Sequence, residues 1–272
     1  MPSVRLPAVV GALAGLGVVF ASSTLAQPTL ESVPARATAE MPQPEAIFER
    51  YIEVIGGRDA LDALKNREIR GVYEGPPFEL PARLYMYQEK PNSAHLKIEQ
   101  PFGGTIEISY DGQTGWERAN DGTIRALTGL RLGEFIDTAD FLGEANYKNR
   151  YAKLETVGES NLFGRNVWLV AAEAPGGRTR RLAFDKETGL FSGTITPSTT
   201  AQGERLIVVT VDNYQDAGGV LYPTLVEQRI VGQEGVVSTF RYNSIVTNIE
   251  GEHDFSAPGE ILQPGDPAPA ND

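Results

Sequence analysis

The sequence predicts an α+β fold, mainly antiparallel β, in which a many-stranded sheet curls into a barrel or half-barrel with helices packed on it. Three observations predict it. After Asn66, short segments rich in β-branched and aromatic residues alternate with clusters of Gly, Asn, Asp and Pro. The separators are too short for parallel crossovers, so neighbouring strands run antiparallel. Two amphipathic helical patterns stand in an otherwise β chain and must bury their apolar faces on the sheet. A sheet of this many strands curls rather than staying flat. Helices against its concave side can then leave an apolar cavity.

The chain is expected to open with an export signal, residues 1–26. Arg5 is the only charged side chain before Glu31, residues 6–20 are apolar or small, and Thr24 and Ala26 supply the small residues before a cut. The apolar stretch is shorter than the roughly 20 residues of a spanning helix. Residues 27–44 are rich in Pro, Ala, Glu and Thr without apolar periodicity and read as a flexible tether. Residues 259–272 read as a flexible C-terminal tail, which leaves 45–258 as the folded β domain.

That domain starts with a helix over 44–55. Ile47, Phe48, Tyr51, Ile52 and Ile55 share one helical face, Pro44 fits the first turn, and Gly56-Gly57 ends it. A shorter helix buries Ala60, Leu61 and Leu64. Strands are then predicted at 68–73, 79–90, 93–100, 105–110, 115–118 and 123–127. After a break they resume at 153–157, 166–172, 179–185, 190–195, 205–214, 220–231 and 236–249. Turn sequences such as Asp111-Gly112 and Pro175-Gly176-Gly177 separate them. A helix interrupts the series at 132–142, where Leu132, Phe135, Ile136 and Ala139 keep helical spacing, and 143–149 reads as a loop.

Composition excludes several functions. No cysteine is present, which removes disulfides, thiolate metal sites, cysteine nucleophiles and a lipid-attachment cysteine after the signal. The core alone must then hold the exported domain. About 245 residues follow the signal, and a chain of that size buries roughly 70% of its surface on folding. Loss of Arg5 with the signal takes the formal net charge from -12 to -13. Such acidity argues against nucleic-acid binding and against electrostatic adhesion to anionic lipid.

No catalytic constellation is present, and no enzyme activity, cofactor or metal site is expected. The two histidines are His95, which alternation places with Lys97 and Glu99 on a solvent face, and His253. Neither accompanies a nucleophile turn, and no zinc, phosphate-loop, dinucleotide or calcium motif occurs. The aromatics carry the remaining signal. Tyr85 and Tyr87 share one face of a strand with Leu84 and Met86 on the other, and Trp116, Phe135, Phe141 and Trp168 are further large apolar groups. Ordinary core packing accounts for them. The alternative is that Tyr85, Tyr87, Trp116, Phe135 and Phe141 line a hydrophobic cavity.

Four stretches bear a family resemblance. The opening FERYIEVIGGRDALDALKNREIRGVYE, then YDGQTGWE from Tyr110, FDKETGL from Phe184 and DNYQDAGGVLYPTLVEQRI at 212–230 together resemble LolA-like envelope proteins over roughly 45–256. The resemblance implies an unclosed antiparallel barrel whose helices cap a hydrophobic interior. It also implies a periplasmic binder or carrier of lipid or lipoprotein acyl chains. Related proteins sense envelope stress, so a protein-interaction module without lipid cargo is the alternative. In the lipoprotein carriers an arginine on an early strand is functionally important, and the possible counterparts are Arg70 and Arg83.

Overall fold

The computed structural model describes residues 41–262 except 102, 119–121, 176, 201 and 202. The expected signal 1–26, residues 27–40 of the expected tether and residues 263–272 lie outside the described residues.

Helix α1 (Pro44–Val54) starts at its proline and buries Ile47, Phe48, Tyr51 and Ile52 on one face. Gly56 turns the chain into α2 (Gly57–Ala63), whose Leu61 is buried. The first meander is β1 (Asn66–Glu74), β2 (Ala82–Glu89), β3 (Ser93–Glu99), β4 (Thr105–Tyr110), β5 (Gly115–Arg118) and β6 (Ile124–Ala126). Then come α3 (Gly129–Ala139), a single 3-10 turn (Gly143–Asn146) and α4 (Tyr147–Arg150). The second meander is β7 (Lys153–Leu162), β8 (Arg165–Glu173), β9 (Thr179–Asp185), β10 (Phe191–Thr200), β11 (Gly203–Ala217), β12 (Val220–Ile230) and β13 (Ser238–Thr247).

All thirteen strands join one antiparallel sheet in the order β6-β5-β4-β3-β2-β1-β13-β12-β11-β10-β9-β8-β7. Each hairpin pairs with its neighbour in sequence, and one long-range pairing, β1 with β13, joins the two meanders. The edges are β6 and β7, which do not pair, so the curved sheet is an unclosed barrel. These edges are consecutive in the chain. The segment between them, with α3, the 3-10 turn and α4, must therefore travel from one edge to the other. It does so on the concave side, where it packs beside α1.

The core fills that concave side. Phe48 of α1 stacks on Tyr147 at 4.5 Å and meets Phe184 edge-on at 4.9 Å. Leu84 and Met86 of β2, Leu96 and Ile98 of β3, and Ile106 and Ile108 of β4 belong to the same cluster. Two glycines let strands approach where the sheet bends. A Cβ on Gly71 would sit 2.0 Å from the Arg241 carbonyl oxygen, and one on Gly193 2.0 Å from that of Val209. Both stand at register shifts, in β1 and β10.

Several expected boundaries move. The interrupting helix begins at Gly129 rather than 132, and the expected loop 143–149 winds into the 3-10 turn and α4. Burial explains the latter: Ala145, Tyr147 and Arg150 are all buried, Tyr147 against Phe48 and Arg150 among Asp137, Asp140 and Glu144. Residues 79–81 precede β2 instead of opening it, and β7 runs on to Leu162 rather than ending at 157. The ordered chain also passes 258. The Leu262 N–H donates to the Ile124 carbonyl (2.9 Å) and the Ala126 N–H to the Leu262 carbonyl (3.0 Å), along the outer side of β6.

A helix-capped interior as the candidate ligand site

Between α1, the α3–α4 segment and the concave face lies a cavity of about 130 Å³. Its apolar wall includes Tyr51 and Ile55 from α1 and its end, Phe141 after α3, Phe191 and Val211 from the second meander, and Tyr222 of β12. Its polar wall holds Arg67, Gln88, Asp140, Glu144 and Arg150.

The polar groups tie the capping segment to the sheet. Arg67 Nε donates to Gln88 Oε1 at 2.7 Å, and Gln88 Nε2 donates to the Thr138 carbonyl of α3 at 2.6 Å. The Arg67 guanidinium lies 4.7 Å from the Phe141 ring centre and 4.9 Å from that of Tyr222, a cation between two aromatic faces. Behind this, Arg180 of β9 donates to Asp137 at 2.6 Å. Arg150 lies 3.4 Å from Asp140 and 3.9 Å from Glu144, and Tyr151 donates to Glu144 at 2.6 Å. Burial raises the Asp140 carboxyl above its ordinary range, against the pull of Arg150. Among the described residues, Arg150 Nε, Arg180 Nη1 and the Tyr222 hydroxyl are buried without a hydrogen-bond partner.

The five aromatic candidates divide. Phe135 and Phe141 are each 1% exposed and lie in the helix-covered interior, and Phe141 lines the cavity. Tyr85, Tyr87 and Trp116 lie on the opposite, convex face. Alternation sends Leu84 and Met86 inward and the tyrosines outward. Tyr87 stacks on His253 at 4.2 Å, and Trp116 Nε1 donates to the Phe255 carbonyl at 2.9 Å. The expected solvent face of His95 is covered by the same C-terminal segment, through a ring-nitrogen contact of 3.0 Å with His253.

Neither arginine candidate points inward. The Arg70 side chain is 63% exposed beside Glu68, and that of Arg83 is 71% exposed beside Glu99. The inward arginine on an early strand is Arg67. Arg67 precedes the strand expected at 68–73; because β1 starts at Asn66, the period-2 pattern extends back to put Arg67 on the face of Ile69 and Tyr73. Among the described residues no group of three His, Cys, Asp or Glu side chains has metal-site geometry.

An open antiparallel sheet curled around helices defines a class of proteins, and solved structures of that class superpose on this chain. One is a DUF1329 family protein from Desulfovibrio piger (TM-score 0.55, 12% identity, 78% of this chain and 96% of the other). A LolA superfamily protein from Nitrosomonas europaea gives a TM-score of 0.52 at 13% identity, over 80% and 99% of the two chains. A putative outer membrane lipoprotein-sorting protein domain from Vibrio parahaemolyticus gives 0.51 at 10% identity, over 75% and 95%. No family model and no curated protein matches the sequence. The chain therefore has the LolA-like fold, and at these identities the likeness concerns the fold alone.

Proposed function

We propose that this protein is a periplasmic binding or carrier protein for an acylated ligand, lipid or lipoprotein, exported by cleavage after Ala26. The cavity between the capping segment and the concave sheet carries this reading. Its apolar wall can take hydrocarbon without any polar signature. Burying a dozen CH₂ groups at ~0.8 kcal/mol each yields roughly 10 kcal/mol, against association costs of several kcal/mol. The cavity of about 130 Å³ is below the roughly 300–1,000 Å³ of ligand pockets. Loading therefore needs the segment from α3 to α4 to swing away from β1 and β2, breaking the Arg67–Gln88–Thr138 chain. The same small volume favours a second reading, an envelope protein-interaction or stress-sensing module without lipid cargo.

Native mass spectrometry of the protein purified from a bacterial periplasm separates the two. Extra mass that fragments to an acyl lipid supports the carrier reading. A clean apo mass that persists after incubation with envelope lipids supports the interaction module. For a carrier, Phe141→Asp abolishes lipid retention while Tyr85→Ser keeps it, because Phe141 lines the cavity and Tyr85 lies on the convex face.

A further inference from the structure

After β13 the chain does not leave the molecule. Asn66 holds Ile249 through both ends of its side-chain amide, at 2.7 and 3.0 Å. Residues 250–262 then cross the convex face as a strap. The Phe255 carbonyl accepts from Ser109 Oγ and from Trp116 Nε1, both at 2.9 Å. At the far end Leu262 pairs with the outer side of β6. Midway, His253 stacks on Tyr87 and meets Phe255 edge-on at 4.8 Å. The only two histidines of the chain thus meet here, one on the strap and one on the sheet.

We propose that the His95–His253 pair is an acid-sensitive latch that holds this strap on the outer face of the sheet. The two rings touch through Nδ1 of His95 and Nε2 of His253 at 3.0 Å, and the other His95 nitrogen lies 3.1 Å from Glu107 Oε1. A nitrogen–nitrogen contact of that length holds one proton. A first added proton makes one ring a cation and still leaves a single N–H between the two nitrogens; the next, which makes both rings imidazolium, sets N–H against N–H and places two cations in contact, and the bond is lost. Imidazole is the side chain that gains this proton between about pH 5 and 8.

The surroundings fix the direction. Facing the pair are Glu107 of β4 with Arg118 of β5 behind it, Tyr85 and Tyr87 of β2, Glu68 of β1, Lys97 of β3, and Asp254 of the strap. Burial, then the neighbouring His95, lowers the His253 pKa, against weaker pulls from Asp254 and Glu68. A docked histidine with a lowered pKa binds its proton less readily than a released one. Docking is therefore strongest above the ordinary histidine pKa and weakens as pH falls through the docked value. Glu107, held down to about 2 by His95 and Arg118, keeps its charge throughout that window. Release uncovers Tyr87 and Trp116 and leaves the backbone edge of β6 unpaired, the kind of edge at which sheets accept another strand.

Hydrogen exchange of the whole secreted protein, corrected for intrinsic rates, tests this at about pH 7.5 and about pH 5, the span over which imidazole titrates. The Ala126 and Leu262 amides are expected to lose protection at the lower pH while Val170 and Leu182 in the core keep theirs. His253→Gln, which retains a neutral hydrogen-bonding side chain, is expected to keep the strap protected at both. His253→Phe, which keeps the stack on Tyr87, serves the same purpose if the glutamine variant misfolds. Unchanged wild-type protection overturns the latch. So does an equal loss in wild type and variant, because the titrating group then lies elsewhere.

Discussion

At the scale of single residues, backbone geometry gives the sharpest expectations. Gly193 combines φ of 144° with a site where a Cβ would meet the Val209 carbonyl at 2.0 Å. Gly193→Ala must therefore part β10 from β11, and a loss of about 2–4 kcal/mol follows. Gly164 in the β7–β8 turn has φ of 90° but nothing within 4 Å of the added carbon. Gly164→Ala should cost about 1 kcal/mol, from conformation alone. Urea unfolding of both variants checks the ordering, and equal losses would mean that strand approach is not what Gly193 protects. Period-2 alternation told correctly that Tyr85 and Tyr87 share a face, and that Leu84 and Met86 share the other. It could not say which face the helices cover. Aromatic content misleads at β2 because both faces are buried, one by α3 and its surroundings and the other by the strap around His253. Arg67 was hidden for a related reason: its stem and guanidinium lie between Phe141 and Tyr222, which only the folded chain brings together.

At the scale of elements, the α3–α4 segment is the part with a choice of position. The sequence showed its helix by Phe135 and Ala139 but read residues 143–149 as a loop, because their order depends on side-chain contacts with α1 and α3 rather than on helical periodicity. Tyr147 owes its burial to Phe48 and Glu49, and Arg150 to Asp137, Asp140 and Glu144. Asp137 is the centre of this network, 2.6 Å from Arg180 and 3.7 Å from Arg150. Those arginine side chains are only 5% and 6% exposed. Asp137→Asn removes the charge that two buried cations share and should destabilise by about 3–5 kcal/mol. The paired change Asp137→Leu with Arg180→Met should recover much of that, because an apolar pair leaves less charge buried. A double variant no more stable than Asp137→Asn in denaturant titrations would show that the network orders the segment in a way hydrophobic packing cannot replace.

At the scale of the molecule, the run of hairpins was legible because each is local, and the closing pair was not. Nothing in the sequence of β1 or β13 marks them as partners; their pairing follows from two meanders that start at one seam and end at opposite edges. That arrangement leaves a helix-covered inner face and a strap-covered outer face, and their buried ionisable groups respond to pH with opposite signs. On the inner side, burial raises the Glu134 carboxyl of α3 to about 7, against Arg131 and Arg178. A carboxyl raised on folding holds its proton more tightly in the native state. Its contribution to stability is fully present below the ordinary glutamate pKa and is lost as pH rises through about 7. The acidic net charge of -12 adds repulsion in the same direction as more carboxylates ionise. The melting temperature should therefore rise on acidification from about pH 8 to about pH 5.5, and Glu134→Gln should flatten that rise by stabilising the alkaline end. Over the same interval the strap should loosen, as His253 gains its proton. Calorimetry and hydrogen exchange on one sample should then move apart, with a firmer core under a freer strap. If exchange at Leu262 instead follows the melting temperature, the outer face opens only with the whole sheet, and the two faces are one cooperative unit.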